Sequence, residues 1–505
     1  MQTLRRTVGV LIFPAVAWLG TGCERTDTPT GARPMASIVD PGPCSVPSIA
    51  YPTIQSAVND VTCNPINVAA GTYPEPTAPG PLTIFRTVTL LGAQSGIDAR
   101  GRVGLESIVT DPQGTYVTAN NVVIDGFTFE NSTNGSFTGY GIAMGAGTSG
   151  TQVLNNIVQN NIAGIALSNT GGSQVLIRHN QIQSNNQTGA ASGTGIYTDQ
   201  FVSGGAVTNV LIEENAFIGN DDAGIDVSNT ALPGVSNLDV STNSFNLNGR
   251  AVVLFNTHMS TIHDNSITNS TLVGSAAVRL FDNNSDLSIL NNDIITGVTH
   301  AIRLSVLGLV GGPSSNVVIH ENNIEFFAGD GLLVSAGGHV GKVNAECNWW
   351  NSSTGPMNPS NPGGTGEKVE GDADFTPWLT APAPGGSCIG GLGLHGMVTG
   401  GGQITVSGGS GSFGFSAKDQ TQSGHLDYMN HVSGAHLNCT VTSVMITPPN
   451  KAKLSGPCSS KNAGGATSFT ADVEDNDKTS DKFTISYGTV VNEGGTIRSG
   501  NIQIK

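Results

Sequence analysis

Ile262-His263-Asp264-Asn265-Ser266-Ile267 is one copy of a phrase that returns eight times between Val122 and Phe327. Each copy has a short β-branched run, one or two polar residues, an Asn, one more residue, then Ile or Phe. Ile177-Arg178-His179-Asn180-Gln181-Ile182, Ile212-Glu213-Glu214-Asn215-Ala216-Phe217 and Ile319-His320-Glu321-Asn322-Asn323-Ile324 repeat it closely. Less regular copies run through Asn155, Asn243 and Asn292, and Phe127 fills the Asn slot of the first. Subtracting successive markers (127, 155, 180, 215, 243, 265, 292, 322) gives steps of 28, 25, 35, 28, 22, 27 and 30 residues. Self-similarity at such a period marks a solenoid, and helical repeats hold their length better than this.

No repeat contains a long stretch with apolar residues at helical spacing. Each contains three short alternating runs, such as Gln174 to Ile177, Gln181 to Ser184 and Gly195 to Asp199, and alternation is the signature of a strand. Three strands per turn predict an all-β fold, a right-handed parallel β-helix. At a tight bend an Asn tolerates the left-handed conformation and its amide bonds to backbone. Stacked at about 4.8 Å per coil, successive amides are expected to bond to one another as a ladder. A chain only 37% hydrophobic and 11% charged with 68 glycines is then turn-rich β structure rather than disorder.

Thr53 to Asp60, with Ile54, Ala57 and Val58 on one helical face, predicts a helix that plugs the first coil. At the far end Trp349, Trp350 and Trp378 are expected to close the last one. These phrases resemble the pectin-lyase-like superfamily of right-handed β-helix proteins, the carbohydrate-binding and sugar-hydrolase repeats that include a periplasmic copper-maturation protein. The resemblance covers about residues 48 to 380.

Arg5 and Arg6, an apolar stretch from Val8 to Leu19, and Gly20-Thr21-Gly22-Cys23 read as a secretory signal over 1–23, too short for a membrane span. The site resembles that of bacterial lipoproteins, with Cys23 as the lipidated residue. Leu19 stands one position further from Cys23 than that pattern places its Leu. Lipidation of Cys23 would turn seven cysteines into six, which allow 15 connectivities. Proximity pairs Cys44 with Cys63, Cys347 with Cys388, and Cys439 with Cys458, in an oxidising compartment. Residues 24–47 read as a tether, 48–380 as the β-helix, 381–394 as a linker, and 395–505 as an antiparallel sandwich or barrel, similar to the small β-modules that trail anchored bacterial surface proteins.

Ligands of the superfamily lie along an outer face, which the strand after each variable loop contributes to: Gly195-Ile196-Tyr197-Thr198, Gly224-Ile225-Asp226-Val227, Ala277-Val278-Arg279-Leu280 and their counterparts. The third position must point outward, giving a column Ala143, Ala166, Tyr197, Asp226, Val253, Arg279, Arg303 and Leu333. Asp199, Ser228, Phe255, Phe281 and Ser305 share that face two residues on. Tyr197, Phe255, Phe281 and Arg303 are the expected sugar-binding residues: rings stack on pyranoses, and guanidinium groups bond hydroxyls or acidic sugars. Asp199 and Asp226 are the expected acid–base pair. The resemblance to pectate lyases implies a proton-abstracting role for Arg279 and a possible Ca²⁺, with Asp221 and Asp222 as further oxygen donors. The phrase Asn220 to Asp226 is similar to one in polygalacturonases, whose later Gly-His-Gly and Arg-Ile-Lys elements are absent here.

A net charge of −16 and a pI near 4.9 exclude nucleic acid and anionic lipid surfaces as partners. His425, His431 and His436 do not share one face of a strand, and no Cys-x-x-Cys occurs, which leaves copper handling a remote alternative. The expectation is a monomeric lipoprotein of the bacterial outer membrane or cell surface, or else a periplasmic or secreted protein. Its touch with the membrane is through the lipid anchor alone, and it binds, or binds and cleaves, a polysaccharide as a lyase or hydrolase. The alternative is a non-catalytic surface scaffold or adhesin.

Overall fold

Ile177, Ile212, Val240, Ile262, Ile289 and Ile319 lie in register on six successive parallel strands. All six are buried. The same stacking runs the length of a right-handed parallel β-helix. The computed structural model describes residues 44–75, 80–134, 139–386, 388, 397–418, 423–447, 450–476 and 480–504. Cys23, the signal segment, most of the tether and half of the linker lie outside the described residues. Among those described, three parallel sheets of thirteen, twelve and ten strands form the walls of the solenoid. The first runs from Ser45–Val46 to Ala373–Asp374, the second from Leu82–Ile84 to Gly366–Glu370 with Pro356–Met357 at its edge, and the third from Gly71–Tyr73 to Asn323–Phe327. Aromatic rings fill the bore as well, with Phe217 and Phe245 stacked at 4.7 Å.

The Asn ladder is present and its register corrects the sequence reading. It runs Asn156, Asn180, Asn215, Asn243, Asn265, Asn292, Asn322, Asn348, so the second copy uses Asn156 rather than Asn155. Asn265 is typical. Its Nδ2 donates to Val240 O, His263 O and Asn292 Oδ1, all at 2.9 Å, while its Oδ1 accepts from Asn243 N at 2.9 Å and Asn243 Nδ2 at 3.1 Å. The left-handed bend falls on the residue before the Asn: Asn155 (φ 54°), His179 (57°), Glu214 (54°), Thr242 (53°), Asp264 (54°), Glu321 (56°) and Cys347 (55°). Residue type at the bend is therefore free, because the buried amide, not the bend residue, offsets the roughly 1–2 kcal/mol that a left-handed conformation costs. A second ladder of Asn161, Asn185, Asn220 and Asn248 follows the third sheet and was not anticipated.

The entrance is closed by the helix Ile54–Asn59, whose buried face is Ile54, Ala57 and Val58 and whose capping box is Thr53 with Ser56. The Arg86 guanidinium closes its other end, donating to the carbonyl oxygens of Val58, Asp60 and Cys63 at 2.8, 2.8 and 2.5 Å. At the exit Trp350 is fully buried and Trp378 packs against the core. Trp349 stands on the outside, its Nε1 donating to Glu325 Oε1 at 2.9 Å. All three neighbouring cysteine pairs are bonded. No helix among the described residues is long and apolar enough to cross a membrane.

Beyond the linker the strands from Met397–Val406 to Ser499–Ile504 make one curled antiparallel sheet rather than a two-sheet sandwich. Strands such as Ser468–Glu474 alternate buried and exposed residues. The inward set, including Phe413, Phe415, Tyr428 and Phe483, is a separate core, with Phe413 and Phe483 stacked at 4.0 Å.

Candidate functional site

The outer face of the second sheet carries the column expected from the sequence, in register: Ala143 with Ala166, then Tyr197, Asp226, Val253, Arg279, Arg303 and Leu333. Pointing outward is not the same as facing water. Ala143 and Ala166 are 5% and 1% exposed, because Tyr140, Tyr116, Ala191 and Val202 pack over them. Asp226, Val253, Phe255 and Arg279 are buried as well, so the partly open members of the strip are Tyr197, Asp199, Phe281, Arg303 and Leu333.

Asp199 ends its strand and caps the short helix Gln200–Ser203. Its Oδ1 accepts from Phe201 N at 2.9 Å and Val202 N at 2.7 Å, and its Oδ2 accepts from the Tyr197 hydroxyl at 3.0 Å. Three donors hold this carboxylate in place. Burial, then the Asp199 charge, pushes the Tyr197 phenol well above its usual range. The same two causes lift Tyr140 to about 12. Both phenols stay neutral donors.

Asp226 is the contrasting carboxyl. It is 8% exposed, accepts a hydrogen bond from Ser228 Oγ, and burial pushes its pKa up to about 6 against the lowering effects of Ser228 and Arg250. Asp222 is ion-paired with Arg250, and Asp221 stands exposed in the preceding loop. Among the described residues no three Asp, Glu, His or Cys side chains gather as a metal site. Asp222 is committed to a guanidinium, so the donor set does not fit Ca²⁺.

Beyond Val253 the face turns cationic and aromatic. Phe255 and Phe281 stack at 4.7 Å with 19° between planes, and the Arg279 guanidinium lies 4.2 Å from the centre of the Phe281 ring. Arg279 donates from Nη2 to Ser305 Oγ at 2.6 Å and from Nη1 to Arg303 O at 3.2 Å. Burial, then Arg303 and Arg250, brings its pKa down to about 9. Arg303 donates from Nη1 to Gly274 O at 3.2 Å, and its Nε is buried without a partner. On the strand of Arg303, His300 Nδ1 accepts from Asp330 N of the next coil at 3.0 Å, and Lys368 pairs with Asp330 at 3.1 Å.

Arg250 and His300 were missed in the sequence. They belong to an outward column just before the aligned phrase, where Ala223 pairs with Arg250 and Ala276 with His300. Both residues after Arg250, Ala251 and Val252, turn inward. That irregularity breaks strict alternation and hides the column. His425, His431 and His436 of the C-terminal sheet do not converge: His431 Nε2 meets Ser412 Oγ, and His436 Nε2 meets Asp427 at 3.0 Å.

No protein-family model and no curated protein matches this chain. Among solved structures it is similar to the enzymatically active domain of tailspike protein 2 of bacteriophage CBA120, with 11% identity over 89% of this chain and 73% of that one, at a TM-score of 0.31. It is also similar to the catalytic domain of a GH87 alpha-1,3-glucanase bound to nigerose, with 14% identity over 61% and 69% of the two chains and a TM-score of 0.32. A third is the periplasmic alginate epimerase AlgG, with 11% identity over 62% and 76% and a TM-score of 0.31. At these identities no residue role passes from them to this chain.

Proposed function

We propose that this protein acts outside the cytoplasm, held there by a lipid on Cys23, and that the outer face of its second sheet binds a polysaccharide and hydrolyses it. The observation that carries the catalytic part is the pair of unlike carboxyls one coil apart. Asp226 is buried with a pKa near 6, and Asp199 is held by two backbone N–H groups and a phenol. Environments that set two carboxyls apart assign acid and base. One coil of about 4.8 Å and two residues of about 3.3 Å each separate their Cα atoms by roughly 8 Å, near enough for both side chains to flank one glycosidic bond. Water adds to the anomeric carbon and gives its proton to Asp199, while the glycosidic C–O bond breaks and the leaving oxygen takes the proton of Asp226. Phe255 is buried and stacked on Phe281, which also carries the Arg279 guanidinium, so the partly exposed Tyr197 is the aromatic residue left to meet a pyranose ring; the three disulfides suit an oxidising compartment.

Binding and reducing-end release across a glycan panel test this, with Asp226→Asn and Asp199→Asn beside the parent. Asn keeps the helix cap. The expected result is binding by all three proteins and release by the parent alone, declining as pH rises past 6. Binding without release by the parent leaves a binding protein. Binding to no glycan favours the non-catalytic scaffold.

A further inference from the structure

Arg279 and Arg303 pose an electrostatic question that their neighbours do not. In a chain of net charge −16, Arg250 has Asp222 and Lys368 has Asp330 and Glu370. Arg279, 5% exposed, and Arg303, half-buried on the adjacent strand, have no carboxylate within ion-pair distance among the described residues. Burial first, and then repulsion from Arg303 and Arg250, depresses the Arg279 guanidinium. Buried charge is costly unless it is paired.

A guanidinium has five donors. Arg279 uses two, on Ser305 and on the Arg303 carbonyl, and Arg303 uses one, on Gly274. The Arg303 Nε–H is sealed from water with nothing to receive it. Neutral sugar hydroxyls would leave the paired charges uncompensated. A planar carboxylate accepts in one plane and suits a single fork. Donors arriving from two coils at different heights along the axis suit a group whose oxygens diverge in three directions. Resting on the proposed glycan-binding role of this face, we infer that Arg279 and Arg303 form a subsite for a tetrahedral oxyanion ester on the sugar, a sulfate or a phosphate. The Phe281 ring beneath Arg279 supports that guanidinium on the face.

The test is a titration, at constant ionic strength, with sodium sulfate, sodium phosphate, glucose 6-sulfate, glucose 6-phosphate, glucuronate and glucose, read by calorimetry and thermal melting. A sulfated polymer and its desulfated counterpart are compared alongside. Saturable binding of the sulfate or phosphate probes, at least tenfold tighter than glucuronate and absent for glucose, is expected. The better ester identifies the source. Arg303→Gln should weaken it about ten- to hundredfold, the range for a charge-assisted hydrogen-bond set, and Arg303→Lys should restore part. Arg303 is only half-buried, so these variants fold even if Arg279→Gln does not. Glucuronate binding as tightly as the esters would overturn the tetrahedral assignment. Equal binding of both polymers, unchanged in Arg303→Gln, would overturn the subsite while leaving glycan binding intact. Loss of both polymers with sulfate still bound would instead remove the glycan reading.

Discussion

The corner that holds Asn180 to Asn348 and the outer face that holds Tyr197 to Leu333 are built by the same coils and obey opposite rules. At the corner each coil presents the same amide, because each must accept from the coil before and donate to the coil after. On the face, successive coils present Tyr, Asp, Val, Arg, Arg and Leu in strict register. Uniformity marks residues that bond to their own copies. Variety marks residues that must suit something else.

The largest test of this contrast lies at the corner. Asn265→Ala removes three donated and two accepted bonds and strands buried partners on both neighbouring coils. A loss of about 3 kcal/mol or more is expected in urea denaturation; a loss under about 1 kcal/mol would mean the corner is not what fixes the coils. The face should respond in the opposite direction. The folded pKa of Asp226, near 6, lies above its ordinary 3.8, so the folded state binds the extra proton and stability falls as pH rises through that window. Asp226→Asn should therefore stabilise the protein at pH 8 by at most about 3 kcal/mol, with little effect at pH 4, while abolishing cleavage. Equal stability at pH 8 would mean Asp226 titrates as an ordinary surface carboxyl. A smaller test concerns a column of left-handed residues on the first sheet, half-buried Asn209 and exposed Asn237, Met259, Asp286 and Asn316. Met259 is the odd member. Met259→Asn should raise stability by about 0.5–1 kcal/mol, and a loss would show that its side chain has a partner.

The coils were legible in the sequence because a buried Asn flanked by β-branched residues has few other uses. Asn155 and Asn156 are adjacent, and nothing in their order says which amide turns inward. The second ladder follows three-residue strands, such as Ile157–Gln159 before Asn161, too short to announce it. The outward column was legible through strand alternation. Its exposure was not, since Ala143 and Ala166 are covered by residues more than 20 positions away, such as Ala191 and Val202. Asp199 shows the reverse. The run Asp199-Gln200-Phe201-Val202 held a helix-cap signal that its place on a strand column concealed.

The disulfides divide the solenoid in a way that bears on how it comes apart. Cys44–Cys63 clasps the first coil and Cys347–Cys388 the last, while the coils between them carry no covalent link among the described residues. A stack whose members touch only their neighbours loses order from its free ends, as a zipper does. Both bonds sit where such opening would start. The interior then needs no covalent help, and its connecting loops are free to lengthen or shorten without putting the rest of the stack at risk.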